Sequence, residues 1–526
     1  MAAFRRRELI RRGAVVGGAI VGGGLLAACG GQAPTGARAA PGLTDLAASL
    51  EGELVLPSAP GYRAARLVWD SRFDGARPLA VARVASAADV AEVVDFARDG
   101  GVPLIVRGGG HSFAGYSTGD GLVLDLSGLD GVTADDGAEI GRIGAGATML
   151  NIYRELWAKR RAISGGTCPT VGVTGLAAGG GLGVLSRRHG LTCDRLAEIE
   201  IVTADGRLRR ASAHENPDLY WATRGGGGGN FGVITSLAFE LVAVDTPFTY
   251  AEYELPWSAA EATLAAWQEW LPSSPEQTWS AVELGTQAPE GGAEPAVAVE
   301  IVHAGSEAEA DSVVADLLGA IGARPVSRQS SSGPFYDIEA AFYCKGLRPK
   351  ECSLAGKTPA GEFPRSALYS KSDVASGPWP GTGLGLLVEA IERRQRDRVL
   401  TPRDFDPAHT IGKVLIEAAD GAVNSPAPDA TAFVHRDNLF VAQYQSRWRS
   451  GADPDVVDAN LAWADELYAT VEPYRSGSAY QNYIDANLDD WERAYYGANL
   501  ARLSAIKSRR DPGGLFSFAQ SIPPAG

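Results

Sequence analysis

Histidine and cysteine are scarce in this chain: 526 residues carry six of one and five of the other. No second histidine stands three or four residues from His111, and the cysteines do not fall at zinc-ligand spacing. A metal centre is therefore not expected. Basic charge is also in deficit, with 48 Lys and Arg against 63 Asp and Glu, a net charge of −15. Nucleic acid and acidic membrane surfaces both need basic patches, so neither is the expected main partner. The apolar stretch from Gly13 to Ala28 is too short and too rich in glycine to be a good membrane span. Internal repeats are lacking as well.

What is abundant is glycine, 65 residues gathered in clusters. Clustered glycine marks backbone that turns sharply or approaches a ligand closely. Hydrophobic residues make up 45% of the chain, and the length suits roughly two or three domains with a large core.

The N-terminus reads as an address. Arg6-Arg7-Glu8-Leu9-Ile10-Arg11 resembles a twin-arginine export signal, and Leu26-Ala27-Ala28-Cys29 resembles a lipobox in which Cys29 becomes the lipidated first residue. The plainer alternative is an ordinary Sec signal with a chance cysteine. The polar stretch after Cys29 is a tether. The expected location is outside the cytoplasm, as a membrane-anchored lipoprotein. The twin-arginine route carries folded proteins, which hints at a cofactor inserted before export. Of the other cysteines, Cys344 and Cys352 could close a short disulfide loop, Cys193 reads as core, and Cys168 is taken up below.

From Pro78 the pattern PLAVARVASAADVAEVVDFARDGGVPLIVRGGGHS reads as strand, helix, strand. Ser86 is the N-cap, and Val90, Val93, Val94 and Ala97 form the buried helix face. LAEIEIVTADGRLRRAS reads as a hairpin turning at Asp205-Gly206. From about Phe248 strands such as YAEYEL and AVAVEIVHAG mix with amphipathic helices, which suggests a second domain with an antiparallel sheet backed by helices. The Tyr- and Asn-rich segment from Ser478 is expected to return to the first domain.

Two glycine loops carry the chemistry: VRGGGHSFAGYS (Val106 to Ser117) and GGTCPTVGVTGLAAGGGLG (Gly165 to Gly183). A dinucleotide-binding GxGxxG would open a helix, whereas the residues after RGGGHS run into another strand. The Rossmann reading fails on that point. Each loop instead holds one nucleophile, His111 or Cys168, among glycines that let backbone amides approach a pyrophosphate.

These two loops, with SRRHGLTCDRL, VTADG, WATRGGGGGNFGVIT, FVHRDNLFVAQYQ, AYQNYIDANLDDW and YYGANLARLSAIKSRRDPGGLFSFAQSIPP, resemble the berberine-bridge-enzyme-like flavoprotein oxidases of the vanillyl-alcohol-oxidase fold. The resemblance covers roughly Arg77 to Val242 and Ser478 to Pro524. It implies an α+β chain: a signal over 1–29, a tether and N-terminal segment over 30–72, and an FAD-binding PCMH-type domain over 73–246. A substrate-binding domain over 247–477 and a C-terminal segment over 478–526 follow. It implies FAD attached twice, through His111 to the 8α-methyl carbon and through Cys168 to carbon 6; attachment through His111 alone, with Cys168 a buried hydrophobe, is the alternative. The cofactor cradle it implies comprises Arg107, Gly108, Gly109, Gly110 and Ser112 in the first loop. In the second it comprises Gly166, Thr167, Thr170, Val171, Gly172, Gly175, Gly179, Gly180, Gly181 and Gly183. Asp194, Asn230, Gly232, Val233 and Asn482 complete it.

The resemblance also implies that Tyr483 is the base, with Tyr480 and Gln443 lining the site. A free tyrosine titrates near 10, so a positive charge or a hydrogen bond to the phenolate is expected beside Tyr483. Three departures thin the expected network: Leu182 and Phe113 stand where many relatives have tyrosine, and Val441 where many have a charged residue. Tyr483 is thus expected to act nearly alone. The function implied is oxidation of an alcohol on a carbohydrate or secondary metabolite, with oxygen as acceptor and hydrogen peroxide as product. A dehydrogenase using another acceptor and a catalytically silent binding lipoprotein are the alternatives.

Overall fold

The computed structural model describes residues 42–526 apart from 136, 138, 288–293, 345 and 398–410. The export motif, Cys29 and the tether up to residue 41 lie outside the described residues.

The strand–helix–strand pattern after Pro78 is present. Strand Ala80–Arg83 leads into helix Ala87–Gly100, which ends before strand Leu104–Arg107. Ser86 caps the helix by accepting a hydrogen bond from Asp89 N, and Val90, Val93, Val94 and Ala97 are buried, as apolar residues at helical spacing should be. These strands pair in parallel with Leu122–Asp125, and Glu53–Val55 closes the edge antiparallel. A second sheet of five strands contains the hairpin Leu196–Val202 and Leu208–Ser212, turned at Gly206.

The third sheet is the largest. Its seven antiparallel strands run in the order Ser327–Gly333, Phe248–Leu255, Ala296–His303, Thr278–Gly285, Gly412–Ala418, Phe440–Trp448, Ala367–Ala375. Side chains alternate across a strand. On Phe440–Trp448 the even-numbered residues face helices: Phe440 lies 6.2 Å from the Trp267 ring, and Ser446 Oγ donates to Asn460 Oδ1 at 2.7 Å. The odd-numbered residues Val441, Gln443, Gln445 and Arg447 point the other way, where the Arg447 guanidinium lies over Trp69 at 5.9 Å. The Cys344–Cys352 disulfide is closed.

The segment after Ser478 folds onto the glycine-rich loops. Lys507 Nζ donates to Asn230 O (2.7 Å), and Asn230 Oδ1 accepts from Ile522 N (2.9 Å).

One arginine ties the second glycine loop to the large sheet. Arg187, on helix Ser186–His189, is fully buried. Its guanidinium grips both oxygens of Asp420 (2.6 and 3.0 Å). It also donates to Ser274 Oγ (2.9 Å) and to the carbonyls of Leu271 (3.0 Å), Pro275 (3.1 Å) and Thr278 (2.5 Å). Removing one partner of a buried ion pair strands the other, at about 3–5 kcal/mol. Arg187→Met is therefore expected to lower the denaturant midpoint, with the unfolding free energy (midpoint times slope) falling by an amount of that order. An unchanged midpoint would show that the clamp contributes nothing.

Candidate active site

The two glycine loops meet backbone to backbone. A Cβ on Gly109 would stand 2.2 Å from Gly172 N, and a Cβ on Gly172 the same distance from Gly109 N. Real Cβ atoms do not come so close, so both positions require glycine. The contact brings Thr170 between the two nucleophiles: its Oγ1 shares a hydrogen bond with His111 Nε2 (2.7 Å) and lies 3.9 Å from Cys168 Sγ. The His111 ring stacks on Trp69, centroids 5.2 Å apart. Burial, with the charge of Lys357 adding to it, lowers the His111 pKa to about 3, so the imidazole is neutral and keeps a lone pair at physiological pH. Burial raises the Cys168 pKa, against the hydrogen bonds of Thr170.

An aromatic row leads away from His111. Trp69 lies 5.8 Å from Phe113, and Phe113 stacks on Tyr483 at 6.0 Å and 8°. The Tyr483 hydroxyl donates to Glu417 Oε1. Glu417 sits on strand Gly412–Ala418 directly across from Val441, on the face that looks toward Trp69. Sequence reasoning missed Glu417; the alternation in GKVLIEA was the only signal. Its presence corrects two expectations. Tyr483 has a titratable group within hydrogen-bond reach, and that partner is a carboxyl rather than a positive charge. Burial first, then the charge of Glu417, holds the phenol well above its usual pKa. Burial pushes Glu417 itself up to about 7, against the Tyr483 hydrogen bond and the charge of Lys413. Of the two, Glu417 is the group whose charge changes near neutral pH.

Tyr480 is held differently. Its oxygen accepts from Gly181 N (2.9 Å), Leu182 N (3.1 Å) and Asn482 Nδ2 (3.0 Å). Gly181 reaches this position at φ +91°, backbone that favours glycine. Leu182, Val441, Phe433 and Tyr480 pack in one cluster, with Tyr483 against it. The departures from tyrosine and charge thus fill space around the two tyrosines. Gln443 is buried on the same sheet face as Val441.

The remaining predicted residues divide. Gly108, Gly110 and Gly175 have open space or only ordinary contacts where a Cβ would be, and Gly110 sits at φ +75°. Tyr153 Oη donates to Gly166 O (2.8 Å) and Met149 N to Val171 O (3.0 Å). Ser112 Oγ accepts from Tyr116 N (3.2 Å). A Cβ on Gly179, Gly180 or Gly183 would strike Asn482, Phe433 or Gly165 respectively. Val233 begins strand Val233–Glu240, and Gly232 stands between it and the Asn230–Phe231 bend. Arg107 and Asp194 spend their polar groups within the protein. Arg107 is wholly buried and spends its donors on Ala65 O (2.5 Å), Ser117 O (2.9 Å) and Asp125 (3.4 Å). Asp194 is taken by Arg436 at 2.6 and 2.8 Å. With their polar groups already committed, both hold loops in place rather than a ligand.

Comparison with known proteins agrees with this layout. Residues 78–212 match the FAD binding domain family, and residues 479–523 match the family described as berberine and berberine like. The chain is 30% identical to the uncharacterized FAD-linked oxidoreductase YgaK of Bacillus subtilis over 485 residues, 90% of this chain and 97% of that protein. The chain belongs to the berberine-bridge-enzyme-like FAD-linked oxidases. It is 31% identical over 466 residues to a xylooligosaccharide oxidase of Thermothelomyces thermophilus, covering 85% and 88% of the two chains. Its fold matches Physcomitrella patens BBE-like 1 with a TM-score of 0.80 and 27% identity, over 92% of this chain and 99% of that one. This FAD-linked oxidase therefore has the PCMH-type α+β fold expected of it.

The glycine cradle and its two uncharged nucleophiles fit a flavin: backbone is bared at Gly108 and Gly175, and His111 and Cys168 are held by one threonine. Gly109→Ala would force the loops apart. It is expected to give folded protein with flavin loading reduced at least tenfold, read from the ratio of visible to 280 nm absorbance. Full loading would show that the contact is not needed.

Proposed function

We propose that this FAD-linked oxidase oxidises an alcohol group of a carbohydrate or secondary metabolite, with FAD held covalently by both His111 and Cys168 and oxygen reduced to hydrogen peroxide. The observation that carries the reading is the Tyr483–Glu417 pair, one aromatic ring away from Trp69 and His111. FAD supplies the two-electron acceptor for the hydride on the alcohol carbon. The chain supplies the rest. The Tyr483 oxygen takes the hydroxyl proton as its own passes to Glu417 Oε1, so no free phenolate forms in a buried site. Phe113 and Trp69 wall the space between the tyrosine and His111. The xylooligosaccharide oxidase among the relatives supports a carbohydrate alcohol as substrate.

The motifs around Arg6 and Cys29 support export by the twin-arginine route and a lipid anchor. The Cys344–Cys352 disulfide suits an oxidising compartment. Acid precipitation of protein from the membrane fraction of a twin-arginine-competent bacterium tests both attachments. Yellow colour and the added mass of one FAD are expected to stay with the pellet. Cys168→Ala is expected to keep the mass and shift the spectrum, and Cys29→Ser to release the protein from membranes. A colourless pellet of bare mass would sink the covalent reading.

The Glu417 carboxyl must be ionised to take a proton. With its pKa raised to about 7, the rate of flavin reduction by an oligosaccharide should rise with pH through about 7. Glu417→Gln is expected to remove that limb and to lower the rate about 10²–10⁴-fold, the usual scale for a lost acid–base group. An unchanged pH profile in Glu417→Gln would exclude Glu417 as the proton acceptor.

A further inference from the structure

The substrate-side sheet face carries a polar ladder that the proposed mechanism leaves unused. Along strand Phe440–Trp448, Gln443, Gln445 and Arg447 project from the same face. Arg447 donates to Gln445 Oε1 from Nε (3.1 Å) and from Nη2 (2.9 Å). Gln445 Nε2 then donates to Gln443 Oε1. Gln443 Nε2 finds no acceptor among the described residues, although the side chain is almost wholly buried.

The direction of this ladder is dictated by its first member. A guanidinium has donors only, so the carbonyl oxygen of Gln445 must turn toward it. That leaves the Gln445 amide nitrogen facing Gln443, whose carbonyl must turn to meet it. The Gln443 NH₂ is then the end left over. A glutamine by itself could lie either way round, because its oxygen and nitrogen ends have the same shape. Here Arg447 removes the choice. Arg447 is itself held in place, over the Trp69 ring that stacks on His111.

A buried donor without a partner is costly, about 1–3 kcal/mol, and such groups in native proteins call for an explanation. This one lies one strand from Glu417: Val441 pairs with Glu417, and Gln443 pairs with the next outward-facing residue of that strand, Leu415. The Tyr483–Glu417 pair accepts a proton; Gln443 beside it offers one in a hydrogen bond.

We infer that Arg447 is a positioning residue that, through Gln445, locks Gln443 with its NH₂ toward the site, where it binds an oxygen of the alcohol substrate. The site accordingly favours a substrate that presents a hydroxyl, ether or carbonyl oxygen there. It rejects one that presents a donor-only group such as an ammonium, which would leave two donors facing each other. The inference rests on the alcohol-oxidase reading for the identity of the ligand, but the direction of the ladder does not.

Two measurements separate these parts. Neutron diffraction from deuterium-exchanged crystals of the flavin-loaded wild type reads the amide directly. The two deuterons of Gln443 are expected to face away from Gln445; a Gln443 oxygen in that place overturns the ladder, whatever the substrate. Steady-state oxidation of an oligosaccharide by Arg447→Met reads the consequence. KM is expected to rise about tenfold with kcat within about threefold, because Tyr483 and Glu417 are untouched. Arg447→Lys, again a donor-only side chain, is expected to recover most of the KM. A general structural defect would lower flavin loading and kcat together and would not be rescued by lysine. Unchanged KM in a flavin-loaded Arg447→Met would overturn the positioning role. If no alcohol reduces the wild-type flavin while the deuterons lie as expected, the alcohol-oxidase reading fails and the ladder stands.

Discussion

Two glycines without side chains set the distance on which this molecule depends. Gly109 and Gly172 touch through backbone atoms, and even one methyl group on either would overlap the other loop. Because they touch, Thr170 reaches both His111 and Cys168. Each nucleophile belongs to a different stretch of chain, and the residues around His111 and Cys168 themselves lie outside any helix or strand. The close approach replaces that missing support. Trp69 and Tyr153 then pack and hydrogen-bond around it, fixing the imidazole plane and the carbonyl of Gly166.

A second constraint is the register of the large sheet. Glu417 reaches Tyr483 because strand Gly412–Ala418 pairs with strand Phe440–Trp448 so that Glu417 lies opposite Val441. A slip of one residue would turn Glu417 toward the helices and leave Tyr483 without its carboxyl partner. The charge absent from position 441 is supplied by the neighbouring strand. Arg187 helps keep the sheet in place relative to the glycine loops, since its seven hydrogen bonds reach Asp420 and the Leu271–Thr278 turn together.

Burial decides the electrostatics of the site. The same desolvation that keeps His111 uncharged raises Glu417 into the neutral range and holds both tyrosine phenols protonated. Of these groups, Glu417 is the one whose shift places its titration near neutral pH. Among the described residues no cationic side chain is hydrogen-bonded to the Tyr483 hydroxyl; its partner is the Glu417 carboxyl, whose pKa burial raises.

The amino-acid sequence by itself determined the elements and the nucleophiles. Ser86 and the valines behind it specify a capped helix whatever surrounds them, because capping and 3.6-residue periodicity act within a few residues. His111 and Cys168 announce themselves by their glycine neighbours, and Asp205-Gly206 by its turn. Only the tertiary structure decided what each polar group faces. Arg107 lies in the most telling motif of the chain, yet its guanidinium turns into the core to meet Asp125 and backbone carbonyls. Glu417 lies in an unremarkable strand, yet it meets Tyr483, 66 residues away. The physical reason is range: local propensity and patterning are written in neighbouring residues, whereas a hydrogen bond across strands depends on a register and a packing that the whole chain settles together.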